Sequence, residues 1–423
     1  MPPFPSILVA RKPTAQPAEK PKTARLCAIP RERLRIDDLS RQIAEESVAL
    51  PLEQLSSAAW QLEPGGVNQL LAKLKQRSNS LKASIAGPPM SGIKTGFSQA
   101  FQLSAATKDA LVIQDGPDAA RLFKPMLRGQ EFDRWVPAWG GNWLLVIASS
   151  ENRTWPWSDS CDQAEETFAA TYPAIYQHLL SYRDPLLKRQ DQGRFWWELR
   201  SCAYWDAFDA PKIMYQEITW QVSWAYDDSG AVCNNTAFFL PSSDLWVLAV
   251  VNSPVGWWYA WRAAQHGKDE ALRYFKDFVQ DFPIPEPSAE QRVAAESQVQ
   301  RLIAIQKSQH DTARTLLDWL KVEHAIEKPT QRLQAFVGLD SDGFVAEIKK
   351  IRGRKNPLSA AAVKHLRDEF ARSVEPAQAL AREAVAAEHA VSDLVNAAYG
   401  LTPAEIDLMW ATAPPRMPIM RVP

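Results

Sequence analysis

Two glycine-bracketed turns carry the residues best suited to chemistry in this 423-residue chain. In Ser91-Gly92-Ile93-Lys94-Thr95-Gly96 the glycines let the backbone turn sharply and come close to a partner, while Lys94 and Thr95 offer a cation and a hydroxyl. In Lys124-Pro125-Met126-Leu127-Arg128-Gly129 the proline fixes one φ and the glycine frees another, with Lys124, Arg128 and Arg134 presented nearby. Cations and hydroxyls on such turns suit phosphate groups. A second basic cluster, Lys188, Arg189 and Arg194, stands immediately before Trp196. Arginine can read guanine through paired hydrogen bonds and glutamine can read adenine, so Arg194, Arg200 and Gln216 are candidate base readers. The alternative for each cation is a solvated surface charge.

Catalytic spacing is not found. The six histidines are scattered, with no His-Glu-x-x-His pair and no Ser or Cys in a nucleophile elbow. His310, His324, His365 and His389 fall on expected helices, where a packed or solvated ring is the ordinary role. Cys27, Cys161, Cys202 and Cys233 form no Cys-x-x-Cys pair, which argues against a zinc site or a disulfide framework and reads as inert thiols. No run of about 18 apolar residues suggests a membrane span, and MPPFPSILVARKP has too short an apolar core for a secretory signal, so a cytoplasmic address is expected. The formal net charge of -1 is not that of a general nucleic-acid binder. Contact with DNA would have to come from a local basic cleft.

The elements that position these residues read as an α+β chain of three parts. Residues 1–84 hold a β-compatible stretch at Phe4–Val9, a loop over Thr14–Thr23, and amphipathic helical pieces over Ile36–Glu46 and Gly66–Leu81. Leu70, Leu71, Leu74 and Leu81 share one helical face, with Lys73 and Lys75 outside it. Residues 85–287 are a mixed α/β region, with β-like runs at Trp143–Ala148, Lys212–Tyr215 and Leu245–Val251 and most of the seventeen tryptophans. Each tryptophan has two readings. It is either a large packed core residue or, as for Trp196 or Trp205, a ring that stacks on or wedges against DNA bases.

Residues 288–423 follow a rigid connector, Pro283-Ile284-Pro285-Glu286-Pro287, and read as a long-helix bundle or hairpin packed on the middle region. Ser288 with Gln291 forms a capping box, and Val299, Leu302, Ile303, Leu316, Leu317 and Leu320 form apolar stripes. Asn356-Pro357 is a second helix start, Ala377–Tyr399 ends at Gly400, and Thr402 with Glu405 caps a further helix. The densest basic run, Lys349–Lys355, either touches DNA flanking a target or is a solvated inter-helix loop.

In this order the two turns resemble the entry to the TaqI-like C-terminal specificity domain of type IIG restriction-modification enzymes and their adenine-N6 DNA methyltransferase relatives. There a G-I-x-T-G turn precedes a K-P-x-L-R-G segment. Tyr172-Pro173 with Leu179, then Lys188, Arg189, Gly193, Trp197 and Leu199, resemble a Y-P…L…R-x-x-G-x-W-x-x-L pattern. Pro211-Lys212-Ile213 with Tyr215-Gln216-Glu217-Ile218 is similar to a p-K-I-x-x-Q-x-I strand, and Asn252-Ser253 and Phe282-Pro283-Ile284-Pro285 to the segments that close the domain. The resemblance covers about residues 85–290, and the tail segment Tyr399–Ile406 and Pro414–Pro418 more loosely. Ser98 departs from it, standing where the family often has Asn.

The resemblance implies recognition of a double-stranded DNA target, with Lys94, Thr95, Lys124, Arg128, Arg134, Lys188, Arg189, Arg194, Trp196 and Gln216 as expected contacts. It also implies a methyltransferase catalytic domain or subunit as partner, with S-adenosylmethionine on that partner and no cofactor held by this chain. The glycine-rich cofactor turn and the Asn/Asp-Pro-Pro-aromatic tetrad of such an enzyme are not found in the sequence: Pro2-Pro3-Phe4 lacks the preceding Asn or Asp. The chain therefore reads as a fragment of a longer enzyme or a separate specificity subunit, with Phe4–Val9 as the last strand of a methyltransferase domain. Three other readings stand beside it: a complete methyltransferase or endonuclease, a Trp-rich glycan-binding module, and an interaction-only protein.

Overall fold

A computed structural model describes residues 23–27, 36–51, 65–160, 162–353 and 356–421. The Phe4–Val9 stretch, most of the Thr14–Thr23 loop, Cys161, and Arg354 and Lys355 of the basic run lie outside the described residues. The fold is α+β, and three hydrophobic cores organise it.

The first core fills the region from about residue 93 to 239 and is built on two four-stranded sheets. In one, Lys212–Gln216 lies between Ala225–Asp227 and Ala237–Leu240, and Ala237–Leu240 pairs onward with Met90–Ser91, all antiparallel. In the other, Phe123–Leu127 pairs antiparallel with Asn142–Leu145 and parallel with Val232–Cys233, while Gln102–Ser104 closes the far edge. Lys212 is fully buried, and its ammonium donates to Asp227 at 2.6 Å and to the Phe208 carbonyl at 2.7 Å. A charge in that position is tolerable only because it is paired and hydrogen-bonded. It ties two neighbouring strands to the turn that precedes them.

The second core joins all three sequence segments. Leu70, Leu71 and Leu74 from the helix Gly65–Gln76, and Leu81 from the short helix Leu81–Ser84 beyond the strand Ser78–Ser80, pack with Trp246, Trp257, Trp258 and Tyr259 and with Val299, Leu302, Val391 and Val395 from the C-terminal helices. The run Leu245–Val251 is an α-helix, Leu245–Asn252, where the sequence suggests a strand. Buried on every side, it shows neither period, and the deciding feature is Asp244, whose carboxylate accepts from the backbone N–H of Trp246 at 2.8 Å. Pro283–Pro285 is also more than a connector. It is a strand paired with Ser78–Ser80, and its carbonyls accept from Tyr399 and from the Trp246 indole.

A 36-residue helix, Ala289–His324, and the return helix Glu375–Ala398 run antiparallel as a hairpin. The expected capping box is present: Gln291 N–H donates to Ser288 Oγ at 3.2 Å and Ser288 N–H to the Gln291 side chain at 2.9 Å. Arg301 grips Glu383 through two bonds across the hairpin. At the far end Leu316, Leu320, Phe344, Ile348, Phe370 and Val374 form the third core, separate from the sheets. Gly400 takes φ +65° after the return helix, and Thr402 with Glu405 caps the helix Pro403–Ala411. No helix among the described residues is long and apolar enough to cross a membrane.

Candidate nucleic-acid interface

The two glycine turns meet at one edge of the first core, joined by a segment the sequence did not single out. Gly92 N–H donates to the Ala237 carbonyl and Ile93 N–H to the Cys233 carbonyl, so the first turn is stitched to the chain around Asn234. A Cβ on Gly92 would lie 2.0 Å from the Asn234 carbonyl oxygen, which makes glycine a requirement of protein packing there. Asn234 N–H in turn donates to the Leu127 carbonyl of the second turn. Asn235 and Thr236 stand exposed beside it. The polar triplet Asn234-Asn235-Thr236 between two apolar runs is a turn signal that marks this loop in the sequence.

Within that edge the expected contact residues divide by direction. Lys94 is exposed with no ion-pair partner among the described residues, whereas Thr95 is buried, its hydroxyl 3.2 Å from Ser98. Ser98 thus keeps a polar contact within the turn. Arg128 is half-buried, also without an ion-pair partner among the described residues, and its backbone N–H donates to Glu131 at 2.6 Å. The buried Glu131 carboxylate also accepts from Gly140 N–H, so it shapes the whole loop after the second turn. Gln216 clamps that loop by donating to the Gly129 carbonyl while its amide oxygen accepts from Ser223 at 3.3 Å. Both ends of the amide are occupied in the protein. Lys124 pairs with Asp209, and Arg134 pairs with Glu388 of the return helix. Trp135 donates to the same carboxylate at 3.0 Å.

The second basic cluster splits in the same way. Lys188 is exposed without an ion-pair partner among the described residues, and Arg194 is exposed with one guanidinium nitrogen on the Ser158 carbonyl at 2.9 Å. Arg200 pairs with Asp191 at 3.0 Å. Arg189 is buried: it donates to the carbonyls of Thr95 at 2.7 Å, Trp196 at 2.9 Å and Glu198, and lies over the Phe101 ring. Burial draws its pKa down to about 10. Trp196 and Trp205, expected as DNA-facing rings, are corrected by the structure: both are buried, Trp196 with its indole N–H on Glu165 and its ring edge-on to Trp197. A ring packed on all sides offers no face to a base. Lys349 and Lys350 are exposed in the last turn of Ser341–Arg352, where cations are attracted to the negative end of the helix dipole.

Between the loops of Arg134 and Gln221, the helical hairpin and the C-terminal tail, a cleft of about 470 Å³ is lined by Arg134, Trp135, Gln221, Gln306, Glu388 and Arg416. His310 and Asp133 approach to 3.2 Å at its rim, and Lys307 pairs with Asp228 nearby. Among the described residues no group of three or more His, Cys, Asp or Glu is arranged to hold a metal ion.

Residues 124–284 match the family model of the TaqI-like C-terminal specificity domain, so the chain carries a specificity domain of that family over this segment. Residues 288–395 match a second model, a domain of unknown function (DUF8810). No curated protein matches the chain. Similar solved structures include the type IIL restriction-modification enzyme MmeI in complex with DNA, at 14% identity and a TM-score of 0.43 over 77% of this chain and 35% of that one. Another is the type IIG restriction endonuclease BpuSI, at 11% identity and a TM-score of 0.37 over 89% of this chain and 40% of that one. The chain thus spans less than half the length of either enzyme.

Proposed function

We propose that this chain reads a double-stranded DNA target for a type IIG-like restriction-modification or adenine-N6 methyltransferase system. The observation that carries the reading is the TaqI-like specificity domain over residues 124–284. The geometry supports it through one edge. The turns of Lys94 and Arg128 are joined through Asn234, and neither cation is consumed by an ion pair among the described residues. Such cations neutralise phosphates and set register, while exposed amide and hydroxyl groups such as Asn235 and Thr236 are of the type that reads base edges. Lys188 and Arg194 add exposed positive charge, while Lys124 and Arg134 are engaged by Asp209 and Glu388. The near-neutral net charge fits a protein whose contact is local.

Methyl transfer, with its S-adenosylmethionine, belongs on a methyltransferase catalytic domain or subunit acting with this chain. The hairpin of Ala289–His324 and Glu375–Ala398 is the rigid support that fixes the specificity domain. The test is selection by the full chain from a duplex pool of randomised sequence. Enrichment of one short motif, bound roughly a thousandfold or more tighter than the pool, is expected. Retention of every sequence alike, or of none, contradicts the reading.

A further inference from the structure

Among the described residues Trp220 is the only exposed tryptophan, and it sits on a turn built to hold it outward. Ile218–Thr219 is the edge strand of a small sheet with Leu272–Arg273 and Gln265–His266, and Ile218 lies opposite Arg273. Outward and inward residues alternate: Thr219, Leu272 and Tyr274 are buried, whereas Ile218, Trp220 and Phe275 are 42%, 46% and 39% exposed. After the strand, the Thr219 hydroxyl donates to the Gln221 carbonyl and lies 3.3 Å from the Ser223 hydroxyl, which closes a tight turn with Trp220 at its tip. Arg416 fixes the far side by donating to the Trp220 carbonyl at 3.2 Å. Two arginines border the apolar face: Arg273, paired with Glu217 at 2.6 Å, lies over the Phe275 ring, and Arg416 sits against the Trp220 backbone.

We propose that Trp220 is a stacking residue of the DNA interface, its indole pressed against an exposed or partly unstacked base beside the target. This rests on the DNA reading above and adds to it a contact that neither the sequence motifs nor the family match assigns. An exposed indole costs hydration, and a clasped turn removes the entropy of ordering it on binding. Aromatic faces bordered by arginine are the chemistry that holds bases without sequence preference. The turn is also continuous with the recognition edge. Ser223, which closes it, bonds Gln216, and Gln216 holds the Gly129 carbonyl beside Arg128.

The experiment compares the wild-type full chain with Trp220→Ala and Trp220→Phe in binding a fluorescent duplex pool and a single-stranded pool of randomised sequence. The expected result is a loss of roughly tenfold or more for Trp220→Ala, near wild-type binding for Trp220→Phe, and an unchanged salt slope, since no charge is removed. The tryptophan emission that disappears in Trp220→Phe becomes shielded from iodide when DNA binds the wild type. Wild-type binding matched by Trp220→Ala overturns this inference and leaves the DNA reading standing. Absence of wild-type binding to either pool overturns both.

Discussion

Lys94 and Arg189 come from equally basic, equally motif-like stretches, yet one points to solvent and the other is buried under three backbone carbonyls. The two turns around Lys94 and Arg128 and the loop around Arg189 are parts of one device. Arg189 bonds the Thr95 carbonyl, which holds the turn that presents Lys94. The buried guanidinium therefore shapes the surface that the exposed ammonium uses. The difference teaches that one basic stretch can hold both a buried scaffold residue and an exposed one, and that burial separates them where charge does not.

Substitutions can break this division. Replacing Arg189 by Met strips three buried carbonyls of their donor, so a loss of about 3 kcal/mol or more is expected in urea melts of the full chain. A variant that melts like wild type would place Arg189 with the contact residues. Gly92→Ala drives a Cβ into the Asn234 carbonyl, and overpacking of this kind costs about 1–3 kcal/mol with loss of DNA binding in parallel. An unperturbed melt would mean that the turn is looser than its packing implies. A double-mutant cycle of Arg134→Ala and Glu388→Gln should return a coupling of about 1 kcal/mol, because the pair is partly buried between specificity domain and hairpin. Zero coupling would remove that latch. The smallest effect on stability is expected for Lys94→Ala, within about 0.5 kcal/mol, although its DNA affinity should fall.

The sequence made the backbone punctuation readable. The Ser288/Gln291 and Thr402/Glu405 capping boxes and the Gly400 cap are local chemistry, and all three stand where the pattern puts them. The inward face of Leu70, Leu71 and Leu74 was equally plain from its period, whereas Leu81, expected on the same helix, follows the strand Ser78–Ser80 and is buried from a separate short helix. Leu245–Val251 was not, because a segment buried on all sides carries no alternation, and only Asp244 distinguishes helix from strand. Direction at the interface was the least legible property. Trp196 and Trp220 are the same residue type in similarly aromatic surroundings, and only tertiary packing turns the first inward and leaves the second exposed. Gln216 shows the same limit, since its amide is engaged by Gly129 and Ser223, distant in sequence or fixed only by the folded turn.

The most direct test of outward contact against inward scaffold is the salt dependence of DNA binding for the wild-type chain and the Lys94→Ala/Arg128→Ala double variant. Removing one cation from a phosphate lowers the slope of log affinity against log salt by about one, so the double variant should show a slope smaller by about two with an unchanged melt. Identical slopes for the two proteins would contradict the assignment of this edge to the DNA backbone.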